Sequence, residues 1–190
     1  MTQQGKNAID LVLAESLIEL SAKKPIDKIT IKEITDKAGV IRPTFYNHFQ
    51  DKYELIEWII KSELLEPIKP LLNAGMIFEA IVLMLNNISA NSVFYKKALK
   101  LEGAVTFNQI AMKCVYEMFM NIISEKSTGK KSKYRWLTPE VISTYYAQSL
   151  CFITEGWIAQ GMDDIERSEE RRVGKGDGGG IHVSDYALDG

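Results

Sequence analysis

Residues 38–52 read Ala-Gly-Val-Ile-Arg-Pro-Thr-Phe-Tyr-Asn-His-Phe-Gln-Asp-Lys, and this stretch decides the fold. Gly39 can adopt the left-handed conformation that ends a helix, and Pro43 suits the first turn of the next helix. Phe45 and Phe49 are one helical turn apart and give the second helix a buried side. The stretch therefore predicts a helix end, a tight turn and a short helix over residues 42–49.

The residues before this stretch predict two more helices. Residues 30–33, Thr-Ile-Lys-Glu, form a capping box that begins a short helix ending at Gly39. Apolar residues recur at helical spacing from Ile9 to Leu20, and Pro25 cannot continue that first helix. Three short helices, the last two joined by a glycine-containing turn, have the layout of a helix-turn-helix, in which the last helix reads DNA.

The outward face of the third predicted helix has side chains that suit DNA. With Phe45 and Phe49 buried, a helical wheel places four residues on the outward face: Pro43, Thr44, Tyr46 and Asn47. It places Arg42 and His48 on the flanks of that face. Arginine can bind guanine edges or phosphate, asparagine can pair with adenine, and tyrosine can bind a phosphate oxygen. Lys52, in the first turn of the next helix, is expected to clamp a phosphate. His48 is interpreted as a DNA-flanking or a structural residue.

The rest of the chain predicts an all-α fold, because apolar residues keep helical spacing nearly throughout. A helix is expected from residue 51 until Pro67 and Pro70 close it, and four further helices over 76–88, 93–101, 107–124 and 139–161. A basic, polar loop over 126–135 precedes the last of them. Residues 167–190 include five glycines between 174 and 180 and are expected to form a flexible tail, which resembles vector read-through foreign to the fold.

Composition excludes several other classes of protein. The chain has 190 residues, 46% of them hydrophobic and 25% charged, which is typical of a globular protein and not of a disordered one. No apolar run is long enough to predict a membrane span and no secretory signal is legible, so we expect a cytoplasmic protein. The net charge is −2, although residues 23–52 hold seven Lys and Arg against four Asp and Glu. The only cysteines, Cys114 and Cys151, are expected to act as small apolar residues.

Four blocks in the first sixty residues resemble the signature of the TetR/AcrR family of bacterial regulators. They are residues 29–34 (Ile-Thr-Ile-Lys-Glu-Ile), 38–40 (Ala-Gly-Val), 44–49 (Thr-Phe-Tyr-Asn-His-Phe) and 51–56 (Asp-Lys-Tyr-Glu-Leu-Ile). The resemblance implies an operator-contacting set consisting of Thr30, Arg42, Pro43, Thr44, Tyr46, Asn47, His48 and Lys52. Ile41 departs from the family pattern, which commonly has a small hydroxyl residue there, so a helix cap or a phosphate contact is expected to be missing.

The resemblance also implies a C-terminal domain with a ligand cavity and a two-fold dimer interface. The candidate pocket residues are Phe78, Met84, Phe107, Met112, Tyr116, Phe119 and Tyr145, although such stripes are more often part of an ordinary core. The last helix is apolar on more than one side, which favours a partner subunit on one of them. The candidate interface residues are Tyr146, Leu150, Ile153 and Trp157.

The sequence therefore predicts a DNA-binding domain over 1–52, a helical regulatory and dimerisation domain over 53–166 and the tail over 167–190. The predicted function is a homodimeric transcriptional regulator, most simply a repressor that binds double-stranded operator DNA and responds to a small-molecule effector. An alternative keeps the fold but makes the protein a coactivator or adaptor controlled by a protein partner. No catalytic constellation, metal site or cofactor motif stands out, so an enzyme is not expected.

Overall fold

The computed structural model describes residues 3–103, 105–126 and 135–162. All regular structure in these residues is helical, so the prediction of an all-α fold is confirmed. Residues 127–134 of the predicted basic loop and the whole predicted tail, 167–190, lie outside the described residues.

The predicted helices are present, and most of their ends differ from the prediction by only a few residues. The described residues contain α1 (Gln3–Lys23), α2 (Ile31–Ala38), α3 (Arg42–Tyr46), α4 (Lys52–Ile59), α5 (Glu66–Asn73), α6 (Ile77–Ala90), α7 (Ser92–Ala98), α8 (Phe107–Lys126) and α9 (Pro139–Ala159). A short 3-10 turn, Ile26–Lys28, joins α1 to α2, and a π-helical segment, Ile60–Leu65, joins α4 to α5. The third helix is shorter than predicted, since it ends at Tyr46 and a turn leads to Phe49.

Local side-chain caps fix where three of these helices begin. The Thr30 side chain accepts a hydrogen bond from the backbone N–H of Glu33, and the Glu33 carboxylate accepts one from the Thr30 N–H, so the predicted capping box is present. Asp51 caps α4 by accepting from the N–H groups of Tyr53 and Glu54, and Thr138 caps α9 by accepting from the N–H of Val141, in both cases without the reciprocal bond of a capping box. At the other end of α2, Gly39 has a φ of 69°, the left-handed conformation that glycine adopts without strain. The chain therefore turns sharply between α2 and α3.

The helix that begins at Lys52 does not stop at the prolines, so that prediction is wrong. It continues as helix through the π-helical segment and α5 to Asn73. Pro67 is in the first turn of α5, where a backbone N–H needs no partner within the helix. Immediately before it, the N–H of Glu66 donates to the carbonyl of Lys61, five residues back. The π-type turn thus lets the chain pass Pro67 without breaking.

The helix α4 connects two packed regions. The region that we call the head, α1 to α3, buries Leu13, Leu17, Ile34 and Phe45 completely. The helix α1 also contacts α4 and α7, and α4 in turn contacts α8. In the C-terminal part, α8 and α9 share the most extensive contact between any two helices described. A rearrangement among the C-terminal helices can therefore reach the head through α4.

Among the described residues, no single helix has both the length and the apolar composition to cross a membrane. The helices α6 and α7 are long and apolar enough only when taken together, and they are bent by 90° relative to each other.

Candidate nucleic-acid interface

The helix α3 presents a polar, exposed surface and is anchored by aromatic side chains. Phe45 is fully buried, and its ring lies 5.9 Å from that of Phe49, which in turn packs 6.4 Å from the ring of Trp58 in α4. A helix of five residues is too short to be stable alone, so these contacts hold it in place. Four predicted DNA-contacting residues of this region are exposed: Arg42, Pro43, Tyr46 and Asn47. A fifth, Thr44, is half-buried.

Two of these exposed side chains contact each other. The Nη2 of Arg42 donates a hydrogen bond of 3.2 Å to the hydroxyl of Tyr46, one turn further along α3. The guanidinium carbon also lies 5.9 Å from the centre of the Tyr46 ring, within reach of a cation–π attraction. Because a guanidinium has five N–H donors, this contact leaves several of them for a base edge or a phosphate. The contact with Tyr46 therefore holds the guanidinium group of Arg42 on the exposed face that was predicted from the sequence.

The hydroxyl of Thr30 already has partners in the capping box. It accepts from the Glu33 N–H at 3.3 Å and donates to the Glu33 carboxylate at 2.8 Å. Thr30 is nevertheless exposed at the start of α2. Its contact with DNA stays a prediction, and its role in beginning α2 is directly visible.

The prediction for Lys52 needs correction. Its Nζ points back into the protein and donates to the backbone carbonyls of Ile26, Asp27 and Ile29, at 3.0, 2.7 and 3.2 Å. Burial lowers the pKa of this ammonium group, although the nearby Asp27 acts in the opposite direction. All three of its donors are used inside the protein, so in this conformation Lys52 is a brace between α4 and the α1–α2 turn and not a phosphate clamp.

The placement of His48 also differs from a DNA-flanking position. Its side chain is only 2% exposed, and its Nδ1 lies 2.6 Å from the Oδ1 of Asp10 in α1. The structural interpretation of this histidine therefore replaces the DNA-flanking one. No sequence pattern indicates this partner, because Asp10 is 38 residues away in the chain.

Two further residues lie near α3: Lys32, which the sequence analysis did not select, and Ile41, for which it predicted a missing contact. Lys32 is exposed in the first turn of α2 and pairs with Asp36 at 2.8 Å. That hydrogen bond raises the pKa of Lys32, whereas the Arg42 guanidinium acts to lower it, so the two cations are close enough to interact. A basic residue in the first turn of α2 was the available signal. Ile41, the residue before α3, is 69% exposed and makes no side-chain cap, as the departure from the family pattern predicted.

The C-terminal helices enclose two cavities of different sizes. An apolar cleft of about 450 Å³ opens between α5, α6, α8 and α9, and a smaller cavity of about 40 Å³ lies among the π-helical segment, α6, α7, α8 and α9. The buried hydroxyl of Tyr95, at the smaller cavity, has no hydrogen-bond partner. Met84 lines both cavities, Phe107 the smaller one and Phe119 the cleft. The other four predicted pocket residues line neither of these cavities: Phe78, Met112, Tyr116 and Tyr145.

The helix α9 carries a row of exposed apolar side chains. Of the predicted interface residues, Tyr146 and Ile153 are exposed, whereas Leu150 and Trp157 are partly buried against the core. The sequence prediction left out Phe152, which is 80% exposed, and it assigned the exposed Tyr145 to the pocket instead. The signal that could have found them is their spacing of seven residues, which places them on one face of a helix.

The two cysteines and the titratable side chains give no indication of redox or metal chemistry in the part of the chain that the structure describes. Cys114 and Cys151 are buried and not paired. Burial raises the pKa of Cys114 to about 12 and that of Cys151 to about 11. No group of three or more His, Cys, Asp or Glu residues is arranged to hold a metal ion within the described ranges.

Similar proteins share this architecture. HTH-type dhaKLM operon transcriptional activator DhaS of Lactococcus lactis subsp. lactis (strain IL1403) is 26% identical over 152 residues, which is 79% of this chain and 79% of that protein. The structure of the dihydroxyacetone kinase operon activator DhaS superposes with a TM-score of 0.56 at 22% identity, covering 87% of this chain and 92% of that one. Native NalD, the secondary repressor of the MexAB-OprM multidrug efflux pump in Pseudomonas aeruginosa, gives 0.52 at 13% identity, over 88% and 93%. At these identities the structural matches show a shared fold.

Two family models match the chain, one on each side of α5. Residues 15–59 match the model described as bacterial regulatory proteins, tetR family, and residues 76–168 match the model described as transcriptional regulator C-terminal region. The first match contains the helix-turn-helix described above, and the second contains α6 to α9. The chain therefore belongs to the TetR family of transcriptional regulators.

Proposed function

We propose that this TetR-family regulator acts as a homodimer in which α3 of each head reads one half of a palindromic operator. Regulators of this family bind operator DNA and are not enzymes. The observation that carries the proposal is the exposed pair Arg42 and Tyr46 on an α3 anchored by the buried Phe45. Arginine at a guanine edge and Asn47 at an adenine would read sequence, and Tyr46 would bind a phosphate. Because its DNA is in the cytoplasm, we place the protein there as well.

The exposed row on α9 supports a homodimer. Tyr145 and Phe152 are seven residues apart, as are Tyr146 and Ile153, which is the spacing of a helix that packs against another helix. Ser149 lies between the adjacent pairs 145–146 and 152–153, Gly156 follows the second pair, and both are small enough to allow a close approach. An apolar row of this length is costly in water, and a second copy of the chain would cover it. Two heads on one operator bind much more tightly than one head.

The cleft between α5, α6, α8 and α9 is our candidate for the effector site. Its volume of about 450 Å³ lies within the range of small-molecule sites, and its lining is almost entirely apolar. The smaller cavity, at about 40 Å³, has room for a few water molecules only. Tyr146 and Ile153 belong both to the cleft and to the proposed dimer face. An apolar effector in the cleft would thus change the dimer contact.

An ion-pair cluster offers the route from the C-terminal helices to the head. Glu57 of α4 pairs with Lys113 of α8 at 2.8 Å, and Lys61 pairs with Glu57 at 2.7 Å and with Glu117 at 2.8 Å. A shift of α8 would therefore move α4 and, with it, the head. An effector can lower operator affinity only by the difference between its own affinities for the two arrangements.

Repression is our first proposal for the direction of regulation, and activation is the second. DhaS is named an activator, whereas NalD is described as a repressor, so relatives of this fold regulate in both directions. Control by a protein partner is the alternative to a small molecule, and the small size of the enclosed cavity favours it. A reporter gene behind the selected operator, measured with and without the regulator, would distinguish repression from activation.

The DNA proposal is tested by selecting bound duplexes from a random pool and then measuring affinity for the selected site. We expect Arg42→Ala to weaken binding by about tenfold or more and to flatten the base preference at one position of each half-site. Lys69→Met, which removes one cation from α5, serves as the control and should leave the preference unchanged. Equal affinity and preference in the Arg42 variant and the wild type would reject the proposed docking.

The dimer proposal is tested separately by sedimentation. Phe152→Asp should convert the dimer to a monomer at micromolar concentration, because a charge would then lie in an apolar contact. Val93→Asp is the matched control, since Val93 is also an exposed apolar residue but lies on α7. A Phe152→Asp protein that still sediments as a dimer would move the interface away from this face of α9.

A further inference from the structure

We propose that Asp10 of α1 is a positioning residue for DNA reading, which acts on α3 through the buried side chain of His48. This inference rests on the proposed DNA-binding function and adds to it a residue that makes no contact with DNA. Asp10 lies outside the four sequence blocks that resemble the family signature and is not among the predicted operator-contacting residues.

The helix α3 depends on tertiary contacts for its orientation. It has only five residues, Arg42–Tyr46, and the residue before it, Ile41, provides no side-chain cap. Its hydrogen-bonded turn continues through His48, whose N–H donates to the carbonyl of Phe45 at 2.9 Å. The link between His48 and Asp10 adds a polar contact between this turn and α1 to the aromatic contacts of Phe45 and Phe49. Loss of the link would leave the end of α3 less well held.

The geometry of the link is that of a strong, enclosed hydrogen bond. The Nδ1 of His48 lies 2.6 Å from the Oδ1 of Asp10, and the two side chains are 2% and 8% exposed. An Nδ1–H donates to the carboxylate whether or not the ring carries a charge. A buried carboxylate without a partner is costly, so the pair stabilises itself as well as the turn. Since α1 is a helix of 21 residues packed on α2 and α4, it is a firm support.

The consequence for DNA reading follows from the position of His48 in the chain. Asn47, the exposed neighbour of His48, is the residue with the chemistry to pair with adenine, and Tyr46 precedes it. When the imidazole is held against α1, the peptide between residues 47 and 48 is held as well. Base readout requires side chains placed to a fraction of an ångström, so a looser turn would lower specificity more than it lowers nonspecific attraction to phosphates.

Simple electrostatics predicts the opposite sign, and this makes the proposal testable. Removing a negative charge from a DNA-binding head should strengthen binding to any duplex, because the phosphates repel acids. If Asp10 positions α3, its removal should instead weaken binding to the selected operator. Glu15→Ala, which removes an exposed acid from the same helix, measures the electrostatic effect alone.

The experiment compares Asp10→Ala, Asp10→Asn, His48→Ala and the double alanine variant with Glu15→Ala. Affinities are measured for the selected operator and for a scrambled duplex over a series of salt concentrations. We expect Asp10→Ala to lower operator affinity by about tenfold with no change in the salt slope, and Asp10→Asn to restore most of it, because the amide oxygen still accepts from Nδ1–H. The double variant should lose no more than either single variant, since both remove one interaction.

Three results would overturn the proposal. They are equal or tighter operator binding by Asp10→Ala, full additivity of the two alanine changes, and a salt slope reduced by about one in His48→Ala, which would mean that the histidine contacts a phosphate. If Asp10→Ala does not fold, His48→Gln and His48→Leu make the same comparison, since glutamine keeps a donor for Asp10 and leucine does not.

Amide hydrogen exchange without DNA separates this proposal from the function on which it rests. Asp10→Ala should speed exchange in residues 44–49 and leave α8 and α9 unchanged. Faster exchange in that segment of Asp10→Ala, together with a wild type that selects no duplex, would support the link and reject DNA reading. Unchanged exchange in a protein that does select an operator would reject the link alone.

Discussion

The ammonium group of Lys52 lies 2.7 Å from the backbone carbonyl of Asp27, and it donates to two further carbonyls of the same turn. The first residue of α4 is thereby tied to the connection between α1 and α2. The link is separate from the aromatic contacts beneath α3, because it joins α4 to backbone carbonyls of the α1–α2 connection. It gives the head a fixed attachment to the helix that carries it.

Lys52→Met is expected to destabilise the protein and to leave the salt dependence of DNA binding unchanged. Hydrogen bonds to a charged group contribute about 2 kcal/mol, so the melting temperature should fall by about 4–8 °C. Thermal unfolding followed by circular dichroism measures the first effect, and a salt titration of operator binding measures the second. Lys69→Met is the control for loss of one charge. A salt slope reduced by about one, at an unchanged melting temperature, would restore the phosphate-clamp interpretation of Lys52.

Ile41→Ser is expected to stabilise α3. The backbone N–H of Thr44, which donates to the carbonyl of Ile41 at 2.9 Å, would gain the serine hydroxyl as a second acceptor, and removal of an exposed isoleucine loses little packing. We expect a gain of about 1 kcal/mol in the free energy of unfolding, measured by urea denaturation, together with tighter operator binding. Ile41→Ala is the matched control, because it shortens the side chain without adding a cap. Equal stability of the serine and alanine variants would show that the start of α3 does not limit its stability.

The capping box should make the stability of the folded state depend on pH in the acid range. The hydrogen bond from Lys24 is the largest of several contacts that lower the pKa of Glu33 from its usual 4.5 to about 2, and bonds from Thr30 contribute as well. Because the folded state holds the lower pKa, the stabilisation is complete above pH 4.5 and is lost as the pH falls towards 2. The difference in stability between the wild type and Glu33→Gln should therefore shrink across that interval. A difference that is constant from pH 7 to pH 2 would contradict it.

The cysteines should react slowly with thiol reagents in the folded protein. A pKa of about 12 for Cys114 and about 11 for Cys151, against an ordinary 9.0, lowers the thiolate fraction near neutral pH by about a hundredfold to a thousandfold. Burial slows access further. We expect labelling by a disulfide reagent to be at least that much slower than for the unfolded protein. Rapid labelling of either cysteine in the native state would show that the C-terminal helices open readily.

Features fixed by near neighbours in the chain were predictable from the sequence. The starts of α2, α4 and α9 follow from caps at Thr30, Asp51 and Thr138, each of which binds a backbone group two or three residues away. The exposed face of α3 follows in the same way from the spacing of Phe45 and Phe49. Periodicity also located α8, where apolar residues recur at helical spacing from Phe107 to Ile123.

Features fixed by distant residues were not predictable. The roles of Lys52 and His48 depend on partners 23 to 38 residues away, and a family signature records which residue stands at a position but not what it touches. The prediction that the helix ends at Pro67 and Pro70 failed for a different reason. A π-type turn shifts a backbone hydrogen bond to the carbonyl five residues back, and no residue type in the sequence indicates where it occurs.

The length of that π-helical segment sets how the helices before Ile60 are rotated relative to those after Leu65. Each residue of an α-helix turns the chain by about 100°, so one residue more or less between Ile60 and Leu65 would rotate everything before it by that angle against everything after it. Glu57 would then leave Lys113, while Ile68 and Leu72 would still face α6. Single-residue insertions or deletions should therefore be far less tolerated in this half-dozen residues than any substitution there, and related chains should keep its length even where its letters differ.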